Sequence, residues 1–138
     1  MEVSGAGDVN GDGKVDLLVT NASGCAVLTN QGDGSFTAPV DYATGSLPWN
    51  IATADINGDG KADLLVTNAS SSTVSVLTNT GDGTFNAKVD YATGTTPEGI
   101  ATADINGDGR PDLLVANNDN NTVSVLTNNG DGTFNTRV

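Results

Sequence analysis

The chain has 138 residues, with 17 Asp and Glu against 5 Lys and Arg, no histidine and one cysteine, for a net charge of −12. That length points to one domain. The charge argues against a nucleic-acid surface, which needs clustered Lys and Arg, and the absence of His with only one Cys argues against zinc or copper.

In chain order, Ser4-Gly5-Ala6-Gly7 stands first, a short segment of small residues in a strand position. It runs into Asp8-Val9-Asn10-Gly11-Asp12-Gly13-Lys14-Val15-Asp16, where side-chain oxygens recur at alternate positions around a glycine turn. Calcium takes six to eight oxygens at roughly 2.3–2.6 Å. This loop offers them from the side chains of Asp8, Asn10 and Asp12, the backbone carbonyl of Lys14, and Asp16 to close the shell. Magnesium suits the loop less well, because it demands tighter octahedral geometry and holds its waters. The twelfth position, where an EF-hand carries a bidentate Glu, is Val19 inside an apolar run, so the loop joins two strands rather than two helices. A polar link, Asn21-Ala22-Ser23-Gly24, precedes Cys25. That cysteine has no partner in the chain and stands where the later repeats have Val74 and Val123, so it reads as a small buried hydrophobe.

The second repeat gives the strand pattern most clearly. Ile51 to Asp55 is a short strand of small residues, followed by a second loop with Asp55, Asn57, Asp59, the Lys61 carbonyl and Asp63. Gly60 permits its sharp turn. Asp63 to Thr67 is a buried strand, Asn68 to Ser72 a polar link, and Thr73 to Thr78 an alternating, half-buried strand. After the turn at Asn79-Thr80-Gly81-Asp82-Gly83, the alternation of Phe85, Ala87, Val89 and Tyr91 predicts a fourth strand with one apolar face. The third repeat copies this text almost unchanged from Ile100. Its loop supplies Asp104, Asn106, Asp108, the Arg110 carbonyl and Asp112, and its outer strand is cut short at Val138.

Loops beginning at residues 8, 55 and 104 define a repeat of about 48 residues that holds nine of the fifteen Asp, so three Ca²⁺ per chain would halve the net charge. The second Gly-Asp-Gly set, at Asp33, Asp82 and Asp131, reads as a hairpin turn rather than a further metal site. Four antiparallel strands per repeat with no helical period predict an all-β fold of β-propeller blades. Blade 1 spans about 1–47, blade 2 about 48–96 and blade 3 about 97–138. No apolar run approaches the ~18 residues of a membrane helix, so no membrane insertion is expected, and no signal peptide is evident.

Asp-x-Asn-Gly-Asp-Gly-x-x-Asp-Leu-Leu-Val, followed by Val-x-Val-Leu-x-Asn-x-Gly-Asp-Gly-Thr-Phe, resembles the FG-GAP/VCBS repeat of the integrin α-subunit N-terminal propeller and its bacterial relatives. The resemblance covers essentially the whole chain. It implies calcium in the hairpin loop between the first two strands of each blade, and a role in adhesion, ligand or sugar binding, or attachment to an enzyme. Family members commonly form seven-bladed rings. Three blades cannot close a ring, so two chains are expected to form a homodimer of six blades, within the roughly four-to-eight range of propellers, the alternative being a fragment of a longer propeller.

Calcium sites of moderate affinity suit an extracellular or cell-surface setting. Nothing points to an enzyme, since the carboxylates are committed to metal. A glycan or protein ligand would use the face opposite the calcium loops, where the repeats diverge most. Candidate contacts there are Trp49, the aligned Glu98, and Asp119 in the link Asn117 to Asn121. Trp49 is read either as such a contact or as packing at a blade interface.

Overall fold

A computed structural model describes residues 2–138. The fold is all-β, and among the described residues no helix is long and apolar enough to cross a membrane. The first blade is an antiparallel sheet in the order β1 (Glu2–Gly7), β2 (Asp16–Asn21), β3 (Gly24–Leu28), β4 (Val40–Ala43). The second repeats it with β5 (Pro48–Ala54), β6 (Asp63–Asn68), β7 (Thr73–Leu77) and β8 (Val89–Ala92). The third contains β9 (Pro97–Ala103), β10 (Asp112–Asn117) and β11 (Thr122–Leu126). Its outer position is marked by Val138, which exchanges backbone hydrogen bonds with Val125 at 3.0 and 3.1 Å. β5 begins at Pro48, three residues before the small-residue strand expected from Ile51. The link between blades therefore contributes to the sheet.

The blades stack as layers, each sharing a core with the next. Every residue of β6 is buried, because neighbours cover both of its faces, and its apolar run has no polar alternation for the same reason. Leu64 and Val66 join Val9, Leu18, Cys25, Val27, Ile51, Leu77 and Phe85 in the core between blades 1 and 2. Leu65 points the other way, with Ile56, Val74, Val76, Leu113, Val115, Leu126 and Phe134 between blades 2 and 3. Cys25 is fully buried in the first core, as its alignment with valines predicts. Small residues let the inner strands approach. A Cβ on Gly5 would stand 3.1 Å from the Ile51 carbonyl oxygen, and one on Gly7 would stand 3.3 Å from Thr53 Oγ1. The connections are stitched onto the following blade, where Gly45 N–H donates to Ser75 Oγ and Gly94 N–H to Ser124 Oγ.

The outer strand departs from the expected single apolar face. Asn79 pairs with Phe85, but Val76 pairs with Val89, so three steps along one strand match four along the other. This extra residue is a bulge, and a one-residue slip moves every later side chain to the opposite face. Phe85 accordingly packs toward blade 1 and Tyr91 toward blade 3, while Ala87 and Val89 are exposed. The inversion brings Tyr91 edge-on to Phe134, with ring centroids 5.5 Å apart, and Tyr42 edge-on to Phe85 at 5.3 Å. Replacing Phe85 by Ala removes a buried ring from the first shared core. It should destabilise the fold by ~3–5 kcal/mol in urea unfolding, the range typical of buried aromatic truncations.

Candidate functional site

The three acidic loops occupy the same corner of each blade and have the same hydrogen-bonded shape. In the second, Asp55 Oδ1 accepts from Gly58 N–H at 2.8 Å and Asp59 N–H at 3.1 Å, and Oδ2 accepts from Gly60 N–H at 2.7 Å. Asn57 Oδ1 accepts from Asp59 N–H, and Asp59 Oδ1 from Lys61 N–H. Asp8, Asn10 and Asp12 repeat these bonds in the first loop, and Asp104, Asn106 and Asp108 repeat them in the third. Gly58 and Gly60 adopt φ values of 77° and 81°, so the turn requires glycine at both positions.

The last acidic residue of each loop stands apart from the others. Asp16, Asp63 and Asp112 are fully buried. Asp63 Oδ2 accepts from Ile56 N–H at 2.9 Å inside the loop, while Oδ1 accepts from Asn79 N–H at 2.8 Å in the opposite hairpin. Asp16 holds Val9 and Asn30 in this way, and Asp112 holds Ile105 and Asn128. Burial pushes the Asp63 carboxyl up. Its two N–H bonds pull it down, and the charges of Asp59 and Asp55 add to the rise.

Among the described residues, no three His, Cys, Asp or Glu side chains are grouped as a metal-holding cluster. The donor chemistry nonetheless fits a hard cation. Each loop presents side-chain oxygens at alternate positions, and a carboxylate oxygen that accepts one N–H keeps a lone pair for a metal. The first, third and fifth loop positions, half-buried or exposed, keep such a lone pair, since Asp55 Oδ2, Asn57 Oδ1 and Asp59 Oδ1 each accept one backbone N–H. The buried ninth-position carboxylates also tie each loop to the opposite hairpin, each Asp63 oxygen accepting one N–H.

Two participants were not identified from the sequence. One is the asparagine that follows the third strand of each blade. Asn79 Nδ2 donates to the Ala62 carbonyl in its own blade and to the Val9 carbonyl of blade 1 at 2.7 Å. Asn128 Nδ2 does the same to Pro111 and to Ile56 of blade 2. Its recurrence at residues 30, 79 and 128 was the available signal. The other is the basic side chain at the seventh loop position. Lys14, Lys61 and Arg110 lie beside Asp12, Asp59 and Asp108 at 3.3, 4.0 and 3.8 Å. They also cover Gly32, Gly81 and Gly130 in the neighbouring turn, and Arg110 donates to the Asn129 carbonyl.

The second Gly-Asp-Gly set is engaged locally. Asp82 Oδ1 accepts from the Thr80 and Thr84 hydroxyls and from Thr84 N–H, which hold its carboxyl down at about 2. Asp33 and Asp131 are lowered mainly by Ser35 and Thr133.

The three candidate ligand contacts do not share a pocket. Trp49 is 48% exposed beside a cleft of about 420 Å³ lined by Glu2, Thr20, Asn21, Leu47 and Pro48. Glu98 lines a separate cleft with Asn118 and Asn121, and its Oε1 accepts from Asn118 Nδ2. Asp119 accepts from the Thr96 hydroxyl.

The FG-GAP-like repeat model matches the chain three times, over residues 8–66, 55–115 and 104–138. No curated protein matches it. Among solved structures, it is similar to an Agrocybe aegerita lectin that recognises non-reducing terminal N-acetylglucosamine, with 25% identity and a TM-score of 0.68. The match covers 97% of this chain and 36% of the lectin. A Photorhabdus luminescens Tc holotoxin pore is similar in fold, at 24% identity and a TM-score of 0.54, over 96% of this chain and 7% of that one.

Two predictions follow from this geometry. Asp63→Asn leaves one acceptor oxygen for two backbone donors, and should lower stability by ~1–3 kcal/mol in chelator as well as in calcium. Carboxyl NMR titration in chelator should place Asp82 near its value of about 2 and Asp63 above the usual ~3.9 for Asp. The stability linkages have opposite signs. Asp82 contributes above pH ~4 and loses that contribution as pH falls toward 2. Asp63 favours folding at low pH, and that contribution is lost as pH rises through its folded pKa.

Proposed function

Because this chain belongs to the FG-GAP-like repeat family, we propose that it is a non-catalytic, calcium-binding β-propeller module whose blades self-associate, two chains closing a six-bladed ring. The observation that carries this reading is the threefold recurrence of one oxygen-donor loop, in one hydrogen-bonded form, at one corner of each blade. Calcium supplies positive charge among carboxylates that otherwise repel one another. The side chains of Asp8, Asn10, Asp12 and Asp16, the corresponding residues of the other loops, and the carbonyls of Lys14, Lys61 and Arg110 hold about three ions per chain. Each ion braces the turn that Asp16, Asp63 or Asp112 ties to the opposite hairpin.

The non-catalytic reading is supported by the committed carboxylates and by a buried thiol, Cys25, pushed up to about 12 by desolvation. Calcium dependence favours an extracellular or surface setting. Isothermal titration should find about three calcium ions per chain. Asp59→Ala should remove one of them and lower the melting temperature in calcium, while leaving the transition in chelator nearly unchanged. An unaltered stoichiometry would overturn the assignment. Light scattering should give twice the chain mass in calcium, and a calcium-loaded monomer would overturn self-association.

A second reading, carbohydrate binding, draws on the similarity to the N-acetylglucosamine-specific lectin and on the half-exposed Trp49 beside its cleft. An indole face stacks well on a sugar ring. Quenching of Trp49 fluorescence by N-acetylglucosamine, together with loss of the calorimetric binding signal in Trp49→Ala, is the outcome this reading requires.

A further inference from the structure

The two seams inside the chain are built from the same parts. In the first, Val9 is buried in one cluster with Leu64, Leu77 and Phe85, and its carbonyl accepts from Asn79 Nδ2. In the second, Ile56 is buried with Leu113, Leu126 and Phe134, and its carbonyl accepts from Asn128 Nδ2. Each seam thus consists of a plug, the second residue of an acidic loop, and a socket made of two leucines, a phenylalanine and an asparagine on the following blade. Each also brings an asparagine of the loop against a turn glycine. A Cβ on Gly83 would meet Asn10 at 3.0 Å, and one on Gly132 would meet Asn57 at 3.5 Å.

The two outer blades carry the unmatched halves. On blade 3 the plug is Ile105, 47% exposed where Val9 and Ile56 are 2% and 1%. On the same blade Val123 is 56% exposed where its counterpart Val74 is fully buried. On blade 1 the socket is Leu17, Leu28 and Phe36. Phe36 is 37% exposed where Phe85 and Phe134 are 9% and 6%. Asn30 Nδ2 donates to the Val15 carbonyl, the bond within its own blade, but has no counterpart of the bond that Asn79 and Asn128 make to the preceding blade. Gly34 has open space where Gly83 and Gly132 meet an asparagine.

We propose that blade 3 of one copy docks on blade 1 of a second copy in the register of the internal seams. Ile105 fills the socket of Leu17, Leu28 and Phe36, its carbonyl accepts from Asn30 Nδ2, and Asn106 lies over Gly34. This rests on the self-association reading and adds to it the direction and the residues of contact. The interface continues one that the chain already forms twice, so it needs no new complementarity. Two such seams, related by a twofold axis, close the ring.

The test uses Ile105→Asp and Phe36→Lys, both at exposed positions, followed by light scattering in calcium, with circular dichroism to verify the β fold. The register predicts that each variant alone runs at the chain mass, because both of its seams contain one charged half. An equimolar mixture should recover twice the chain mass, because one seam sets Ile105 in an intact socket and the other sets the new carboxylate against the new ammonium. Ile105→Ala, a gentler truncation, should raise the dimer dissociation constant by at least about tenfold. If the unaltered chain is a dimer but Ile105→Asp also dimerises alone, or the mixture fails to recover, the register is overturned while self-association stands. If the unaltered chain is a monomer, the self-association reading itself falls.

Discussion

A buried carboxylate with two backbone N–H partners is the constraint on which each blade depends. Asp63 joins the start of its acidic loop, at Ile56, to the hairpin beyond the third strand, at Asn79. Such a group is costly to bury unless its oxygens are satisfied, and here both are. The same residue therefore fixes two connections that are distant along the chain. Asn79, once positioned, has its amide directed at the Val9 carbonyl of the preceding blade. Loop shape, hairpin position and the contact between blades follow from one side chain.

This coupling gives the acidic loop a structural part of its own. Its second residue is a plug in the neighbouring core, and its seventh is a basic side chain laid over the adjacent turn. Charge on the exposed carboxylates and packing of the buried plug belong to the same nine residues. Any ion that stiffens the loop also stiffens the seam, which gives a metal in this position a direct effect on blade stacking.

The bulge in the outer strand has a similar consequence. Without it, Phe85 and Tyr91 would face the same neighbour. With it, one aromatic ring points back and the other forward, so each seam receives an edge-to-face pair. A stack of four-stranded sheets with little aromatic content thus places its few rings at the positions where blades meet. The outer blades present the same surfaces without partners, and this leaves Ile105, Val123 and Phe36 exposed.

The sequence by itself determined the repeat, the all-β blade and the turn positions of the three loops, because these rest on local spacing and on side-chain type. Asp8, Asn10 and Asp12 alternate with glycines in the pattern of a tight turn, and Leu64-Leu65-Val66 reads as a buried strand. Tertiary structure decided what spacing cannot carry. The fourth strand looked continuous because alternation of Phe85, Ala87, Val89 and Tyr91 contains no mark of a bulge, which is a property of the pairing with β7. The role of Asn79 was hidden because its partner at Val9 lies 70 residues away. Asp63 looked like its loop neighbours because burial belongs to the packed blade, and only the stacked layers make the ninth loop position an interior one.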